Sequence, residues 1–270
     1  MIDAIKYVNT LGEEIVFGGG PWHFGDTDLL DTSAAHRSIG GRITGFDREI
    51  SEMSLDVWLD GPEDERRRLA DVTSYDVRVG KPGTLYAGDC RMSCWIPGIA
   101  PHDWYQLPGL FGAELTIVAD DPVWVREAAV TLESRDDRDL GGLNYPHDYP
   151  HDYLHSGGSS LVIENPFRLP AKCDIYIPGP ASDPYVIIAG NRYQVRDSID
   201  RGQLLVIRGF GERGIFVRHS DGTERNVFDK RVSEDGARPF AEIPVGRSVA
   251  KWSGSYNVEV VMYEERTLPW

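Results

Sequence analysis

The sequence predicts a mainly β protein built as two β-rich domains with a single convincing helix. Three observations carry that expectation. The 29 Gly and 17 Pro among 270 residues break the chain into short pieces. Several of those pieces alternate apolar and polar residues with the period of two that a half-buried strand requires. In the second half, pairs of such runs flank Gly190-Asn191 and Asp221-Gly222, dipeptides with the backbone freedom of tight hairpin turns. A 41% hydrophobic and 10% aromatic content excludes a disordered chain, and the length suffices for two cores.

Taken in order, residues 53–59 read as a half-buried strand, with Met53, Leu55, Val57 and Leu59 on one face and Ser54, Asp56 and Trp58 on the other. Gly61-Pro62-Glu63-Asp64-Glu65 follows, with a proline at the first helical position and acids where the helix dipole favours them. This predicts a helix from Pro62 to about Ser74 with a thin inward stripe of Leu69, Ala70 and Val72. Tyr75, Val77 and Val79 alternate again, Gly80-Lys81-Pro82-Gly83 reads as a turn, and Leu85 and Tyr86 as the partner strand, so a hairpin is expected after the helix. Further strands are expected at Cys90 to Ile96 and Glu114 to Ala119, ending at Asp120-Asp121-Pro122, and the domain boundary is placed there, between 121 and 122.

The second half carries almost no helical signal. Val186 to Ala189 pairs with Arg192 to Val195, and Ile215 to Arg218 with Arg225 to Phe228, giving two hairpins. Val130 to Leu132, Leu161 to Glu164, Cys173 to Ile177, Leu204 to Ile207 and Val258 to Met262 add short strands at sandwich spacing. Pro146-His147-Asp148-Tyr149 is repeated at once as Pro150-His151-Asp152-Tyr153, and its prolines predict an extended aromatic connection.

Charge and cysteine usage narrow the function classes. Asp and Glu number 43 against 28 Lys and Arg, and a net charge of −15 opposes nucleic-acid phosphate, so sequence-specific DNA binding is not expected. No apolar run approaches the ~20 residues of a membrane span, and the start lacks the basic-then-apolar pattern of a signal peptide. Cys90, Cys94 and Cys173 have no C-x-x-C spacing and read as reduced, buried thiols.

The chemical motifs read as structure. Gly209-Phe210-Gly211-Glu212-Arg213-Gly214 is a literal G-x-G-x-x-G, but Ile215-Phe216-Val217 follows as a strand where a dinucleotide site needs a helix N-terminus. A kinase-type glycine loop lacks its lysine and its H-R-D and D-F-G partners. His147, His151 and His155 share one side of an extended chain, but the outer pair of three at four-residue steps is too widely spread for one ion, each step spanning about 13 Å at ~3.3 Å per residue. No G-x-S-x-G elbow is present, and Gly157-Gly158-Ser159-Ser160 reads as a turn. Asp120-Asp121 and Asp136-Asp137 are the acid pairs from which a glycoside hydrolase would be built, but adjacent carboxylates point apart and read as solvated turns. Seven tryptophans leave open a sugar-stacking platform beside core and subunit-contact roles.

The order of segments resembles the distal tail protein family of siphophages. The matching pieces are Asp121-Pro122-Val123-Trp124, Tyr145-Pro146-His147-Asp148-Tyr149-Pro150, Asn165-Pro166, Ile175-Tyr176-Ile177-Pro178-Gly179-Pro180, Tyr185 to Tyr193 and Ile243-Pro244-Val245-Gly246-Arg247-Ser248. The match runs from about residue 114 to the end and is only architectural before it. The resemblance implies an N-terminal β-sandwich-like ring, or belt, domain with one helix (residues 1–121) and a C-terminal galectin-like β-sandwich projecting outward (122–270). It implies a structural virion subunit of the phage tail tip, made in the host cytoplasm. Six copies would form a ring joining the tail tube protein to the baseplate hub, or tail-associated, protein around a channel for DNA, with the tape measure protein as a further contact.

No catalytic, cofactor-binding or metal-binding residue is expected on that reading, nor an enzyme, a cofactor or a membrane span. Some family members carry inserted carbohydrate-binding modules, and this chain has no insertion of that size. The alternative is a carbohydrate-binding sandwich that contacts the host cell wall.

Overall fold

The computed structural model describes residues 3–32, 34–103, 110–134, 159–233 and 236–269. Antiparallel strands and one α-helix make up nearly all of its regular structure. The chain divides into two compact units, Met1–Arg126 with Glu265–Trp270, and Glu127–Glu264.

The first unit holds β1 (Ile5–Val8), β2 (Glu14–Phe17), β3 (Trp22–Thr27), β4 (Ala35–Ile39), β5 (Arg42–Asp47), β6 (Ser51–Asp60), α1 (Glu63–Val79), β7 (Gly83–Ala87), β8 (Cys90–Asp103) and β9 (Leu110–Ala119), with the start of β10 (Trp124–Leu132). β8 is the hinge of its architecture. Its first residues pair with β7 and, at Cys90 and Arg91, with β10, while the stretch from Trp95 onward pairs with β9. One strand therefore serves two sheets, β2–β1–β7–β8 and β3–β6–β9–β8. The ladder with β9 slips between Trp95 and Gly98 and again between Pro101 and Asp103. Pro97 and Pro101 have no amide to donate, and a bulge absorbs a proline that a regular central ladder rejects.

β6 carries the alternation read from the sequence, with Met53, Leu55, Val57 and Leu59 buried. These residues share one core with Ile5, Tyr7, Phe17, Trp22, Leu85, Met92, Leu115 and Ile117.

The expected hairpin after the helix does not form. α1 continues to Val79, and Tyr75, Val77 and Val79 are its last turns. The buried residues are Leu69, Val72, Thr73 and Asp76, the i, i+3, i+4, i+7 spacing of one helical face, while Ala70, Val77 and Val79 are exposed. Asp76 hid that stripe, because a carboxylate inside a core is not expected unless it is satisfied. It is satisfied: the Tyr7 hydroxyl donates to it at 2.6 Å, and Thr10 donates its backbone amide at 2.9 Å and its hydroxyl at 2.6 Å. Gly80, at φ +65, ends the helix in the left-handed conformation open to glycine, so the glycine read as a turn is a helix cap. At the other end Pro62 stands outside the helix, whose first residue is Glu63.

The second unit contains β11 (Ser159–Asn165), β12 (Lys172–Pro178), β13 (Ala181–Ser182), β14 (Tyr185–Ile188), β15 (Asn191–Gln194), β16 (Ser198–Ile199), β17 (Leu204–Arg208), β18 (Gly214–Arg218), β19 (Glu224–Asn226), β20 (Gly246–Trp252) and most of β21 (Val258–Arg266). One sheet runs β19–β18–β17–β12–β21 and another β11–β20–β14–β15. Both feed one core, with Ile175, Ile177, Leu205, Ile207 and Val260 from the first sheet and Ile163, Val186, Ile188, Tyr193 and Trp252 from the second.

Both expected hairpins are present, each with a shifted turn. Ile188 pairs with Asn191, so the two-residue loop is Ala189-Gly190, at φ +50 and +84, and not Gly190-Asn191. Asn191 belongs to the strand because its side chain bonds the backbone of Arg238 in both directions. In the second hairpin, the His219 amide donates to the Thr223 carbonyl, leaving a three-residue loop of Ser220, Asp221 and Gly222. Gly222, at φ +85, takes its left-handed position, and the Asp221 carboxylate caps the Thr223 amide and hydroxyl.

Candidate assembly surface

The residues with chemical potential are absorbed by the fold. In the G-x-G-x-x-G loop between β17 and β18, the amides of Gly209 and Phe210 both donate to Asp174 Oδ1, at 2.8 and 3.0 Å. These are the groups a phosphate would need, and an internal carboxylate already holds them. Each glycine also has a packing reason. A side chain on Gly209 would collide with the Cys173 carbonyl and one on Gly214 with the Phe216 ring, while Gly211 sits at φ +66. The other Asp174 oxygen accepts the hydroxyls of Tyr263 at 3.1 Å and Tyr176 at 3.3 Å. Burial, then the Asp174 charge, pushes both tyrosine hydroxyls above their ordinary range.

The remaining candidates are equally occupied. Asp120 Oδ1 accepts the Asp121 amide, and Asp121 faces Arg48 at 3.5 Å. The three cysteines are free and buried, and burial pushes the Cys94 and Cys173 thiols up to about 12. Trp22, Trp124 and Trp252 are core residues, Trp58 packs its ring against Gly25 in its own sheet, Trp95 is half-buried, and Trp104 and Trp270 lie outside the described residues. The His147, His151 and His155 series, the doubled Pro-His-Asp-Tyr and Asp136-Asp137 lie outside the described residues. Among the described residues no group of three His, Cys, Asp or Glu side chains is placed to hold a metal ion, and no helix is long and apolar enough to cross a membrane.

What the fold does present is a surface for contact. Among the described residues, β4 and β5 pair only with each other and contribute nothing to the core of their unit. His36 pairs with Phe46 and Ser38 with Ile43, and a register shift lies between the two pairs. Since His36 and Ser38 are two residues apart, the shift brings Phe46 and Ile43 to one face. They are 68% and 60% exposed, with Ile39 at 75% near the tip and Ile50 at 73% just past the base. An isolated hairpin is marginally stable in water, and exposed apolar residues at this density make it a candidate contact surface. Sequence reading missed it because the 35–50 stretch is broken by Gly40, Gly41 and Gly45 and has no clean alternation.

A groove of about 470 Å³ opens at the base of that hairpin, within the first unit. Leu29, Met53, Met92 and Trp124 line it from the core side, and Phe46 and Ile50 from the hairpin side. Arg48 crosses its rim to Glu265 at 2.8 Å, which holds the guanidinium pKa above its ordinary value. Asp31 and Glu49 also line the groove, and neither carboxylate makes an ion pair among the described residues.

No family model matches the chain, and no curated protein matches it. Solved structures do. The Dit protein of phage SPP1, described as a paradigm of the hub adsorption apparatus in phages infecting Gram-positive hosts, superposes with a TM-score of 0.56 at 10% identity over 97% of this chain and 98% of that one. A chain of the phage P2 baseplate in its activated, Ca-bound conformation gives 0.59 at 13% identity over 99% and 100%, and its Sr-bound counterpart 0.60 at 12% over 99% of each. The resemblance read from the segment order is thus a likeness of the entire fold, first unit included. From end to end, the chain carries the fold of the SPP1 Dit hub protein and of its phage P2 baseplate counterpart.

Proposed function

We propose that the chain is a structural subunit of the distal end of a long, non-contractile phage tail. Six copies form a ring that joins the tail tube to the baseplate hub and leaves a channel for DNA. The observation that carries this reading is the match of fold over nearly the whole of both chains to a tail hub protein and a baseplate protein. The first unit is the ring-former and the second a galectin-like sandwich.

The chemistry agrees. The polar loop that most resembles a ligand site is closed by Asp174, while the exposed apolar hairpin requires a protein partner. A net charge of −15 per copy suits a conduit, because acidic walls repel passing DNA and keep it from adhering. Negative-stain images of the purified chain, and of tails assembled with it, test the reading. Six-fold rings with a central hole are expected. A monodisperse monomer at high concentration, together with tails that lack a distal ring, would refute it.

A further inference from the structure

We propose that β11 of one copy pairs antiparallel with β11 of a second copy, about a two-fold axis through Val162. Such a contact joins identical patches and cannot close a ring, so the inference goes beyond the ring reading: it couples copies in pairs, whether they are free or already assembled.

The starting point is how the second unit treats its sheet edges. An edge strand turns every second amide and carbonyl away from its one neighbour, and folds blunt such an edge by shortening, charging, bulging or covering it. β19 is three residues long and exposed throughout, with Glu224 held by Arg208 at 3.2 Å and Arg218 at 2.8 Å. β15 is covered, since the Gln194 carbonyl accepts the Val232 amide, the Arg196 amide donates to the Lys230 carbonyl, and Val195 bridges to Arg231. β11 has none of these devices. Among the described residues it pairs with β20 alone, in unbroken register over seven residues, and it contains no proline and no basic side chain.

β11 is also apolar and uncovered on both faces. Ser248, Ala250 and Trp252 of β20 turn into the core, so their partners Ile163, Leu161 and Ser159 face the same way. Ile163 is 1% exposed, but Leu161, opposite the fully buried Ala250, is 38% exposed, and the sandwich is therefore open at this edge. On the outer face Val162 lies opposite Val249, and each is 47% exposed. A ligand resting on one face would leave Leu161 or Val162 bare. An added strand covers both.

The sequence of β11 supplies its own complement. Seven residues overlap a second copy completely in one antiparallel register, in which Val162 meets Val162, Leu161 meets Ile163, Ser160 meets Glu164 and Ser159 meets Asn165. The two Val162 side chains then join the Val249 of each copy in one apolar row, and no like charges stand opposite each other. Glu164 of each copy falls on the row of the other's Ser160 and Lys251. Lys251 is two strands away, about 10 Å at ~4.8 Å per strand, and two long side chains meet across a serine. Neither Glu164 nor Lys251 makes an ion pair among the described residues. Copies of charge −15 repel one another at long range, but that repulsion is screened beyond about 8 Å at 0.15 M salt. Locally the balance is reversed, because the four strands of this sheet carry Arg192, Arg247 and Lys251 against Glu164 alone.

The test uses the full chain, whose native cysteines are buried. In the proposed register the two Val162 α-carbons lie about 4.5–5.5 Å apart, within the span of a disulfide, whereas the two Val249 α-carbons lie three strand spacings apart, about 14 Å. Under mild oxidation Val162→Cys is expected to form a covalent dimer at least 20-fold faster than Val249→Cys. Sedimentation velocity at micromolar concentration reads the same contact without a crosslink, as a species of doubled mass. Val162→Lys, which sets two cations on the axis, is expected to weaken pairing at least 30-fold while melting stays that of the wild type. Lys251→Glu is expected to weaken it about 10-fold, and Lys251→Glu with Glu164→Lys to recover it.

Equal oxidation rates for the two cysteines, or the same mass for wild type and Val162→Lys at every concentration, would overturn the two-fold contact. So would a Val162→Cys crosslink within one chain, or to a different tail protein, in place of a second copy. Rings are read from six-fold images and pairing from mass doubling, so failure of the one is distinguishable from failure of the other.

Discussion

Replacing Asp174 by alanine tests whether the glycine loop is a structural closure. The carboxylate is 5% exposed and accepts four donors, the amides of Gly209 and Phe210 and the hydroxyls of Tyr176 and Tyr263. The bonds from Gly209 and Tyr263 are buried, and the other two are partly so. A donor left buried without an acceptor costs about 1–3 kcal/mol, while one that reaches water costs much less. Two of the first kind bring the loss to about 3–5 kcal/mol. At roughly 2–4 °C per kcal/mol for a protein of this size, the melting transition of the second unit should fall by about 10 °C.

Asp174→Asn keeps an acceptor for the two amides and should lose only about 1–2 kcal/mol. It also removes the negative charge that, after burial, holds the Tyr263 hydroxyl above its ordinary pKa, so the tyrosine absorbance at 295 nm should rise at lower pH than in the wild type. Calorimetry and ultraviolet titration provide both readouts. An alanine variant that melts within a degree of the wild type would refute the closure, as would a wild type that millimolar pyrophosphate stabilises.

Two further perturbations probe the cores. A side chain on Gly83 would collide with the Tyr7 hydroxyl, the ring carbon that bears it and the Asp76 carboxylate, so Gly83→Ala should cost about 2–4 kcal/mol in urea unfolding, and somewhat less once Tyr7→Phe has removed one of the three obstacles; additive losses would sink this account. The Cys94 and Cys173 thiols, pushed up to about 12 by burial, stay neutral in the fold while an unfolded chain ionises near its ordinary value of 9. Their contribution is therefore complete below pH ~9 and is lost as pH climbs toward ~12, by about 2 kcal/mol each at pH 10.5. The urea midpoint should drop between pH 8 and 10.5, with a shallower drop for Cys94→Ala and Cys173→Ala together; an unchanged slope would contradict it.

The parts of the fold that sequence revealed are those in which one residue's environment is decided by its neighbours in the chain. β6 alternates because one face meets the core and the other does not, and that pattern survives reading in isolation. The end of α1 did not survive it. Its buried face includes Asp76, whose burial depends on Tyr7 and Thr10, more than 60 residues earlier in the chain, and no local rule announces that partnership. The turn at Ala189-Gly190 slipped by one residue for a similar reason, since Arg238 holds Asn191 in the strand from 47 residues away. The β4–β5 hairpin was the least legible, because apolar residues that enter no core of their own unit have no core face to impose a period. Its irregularity in sequence is the same fact as its exposure in the structure.

That contrast bears on how a fold persists at 10–13% identity over whole chains. Alternation, caps and turns constrain residue type and leave residue identity far looser, so the cores of chains that share a fold can diverge while the sheets remain superposable.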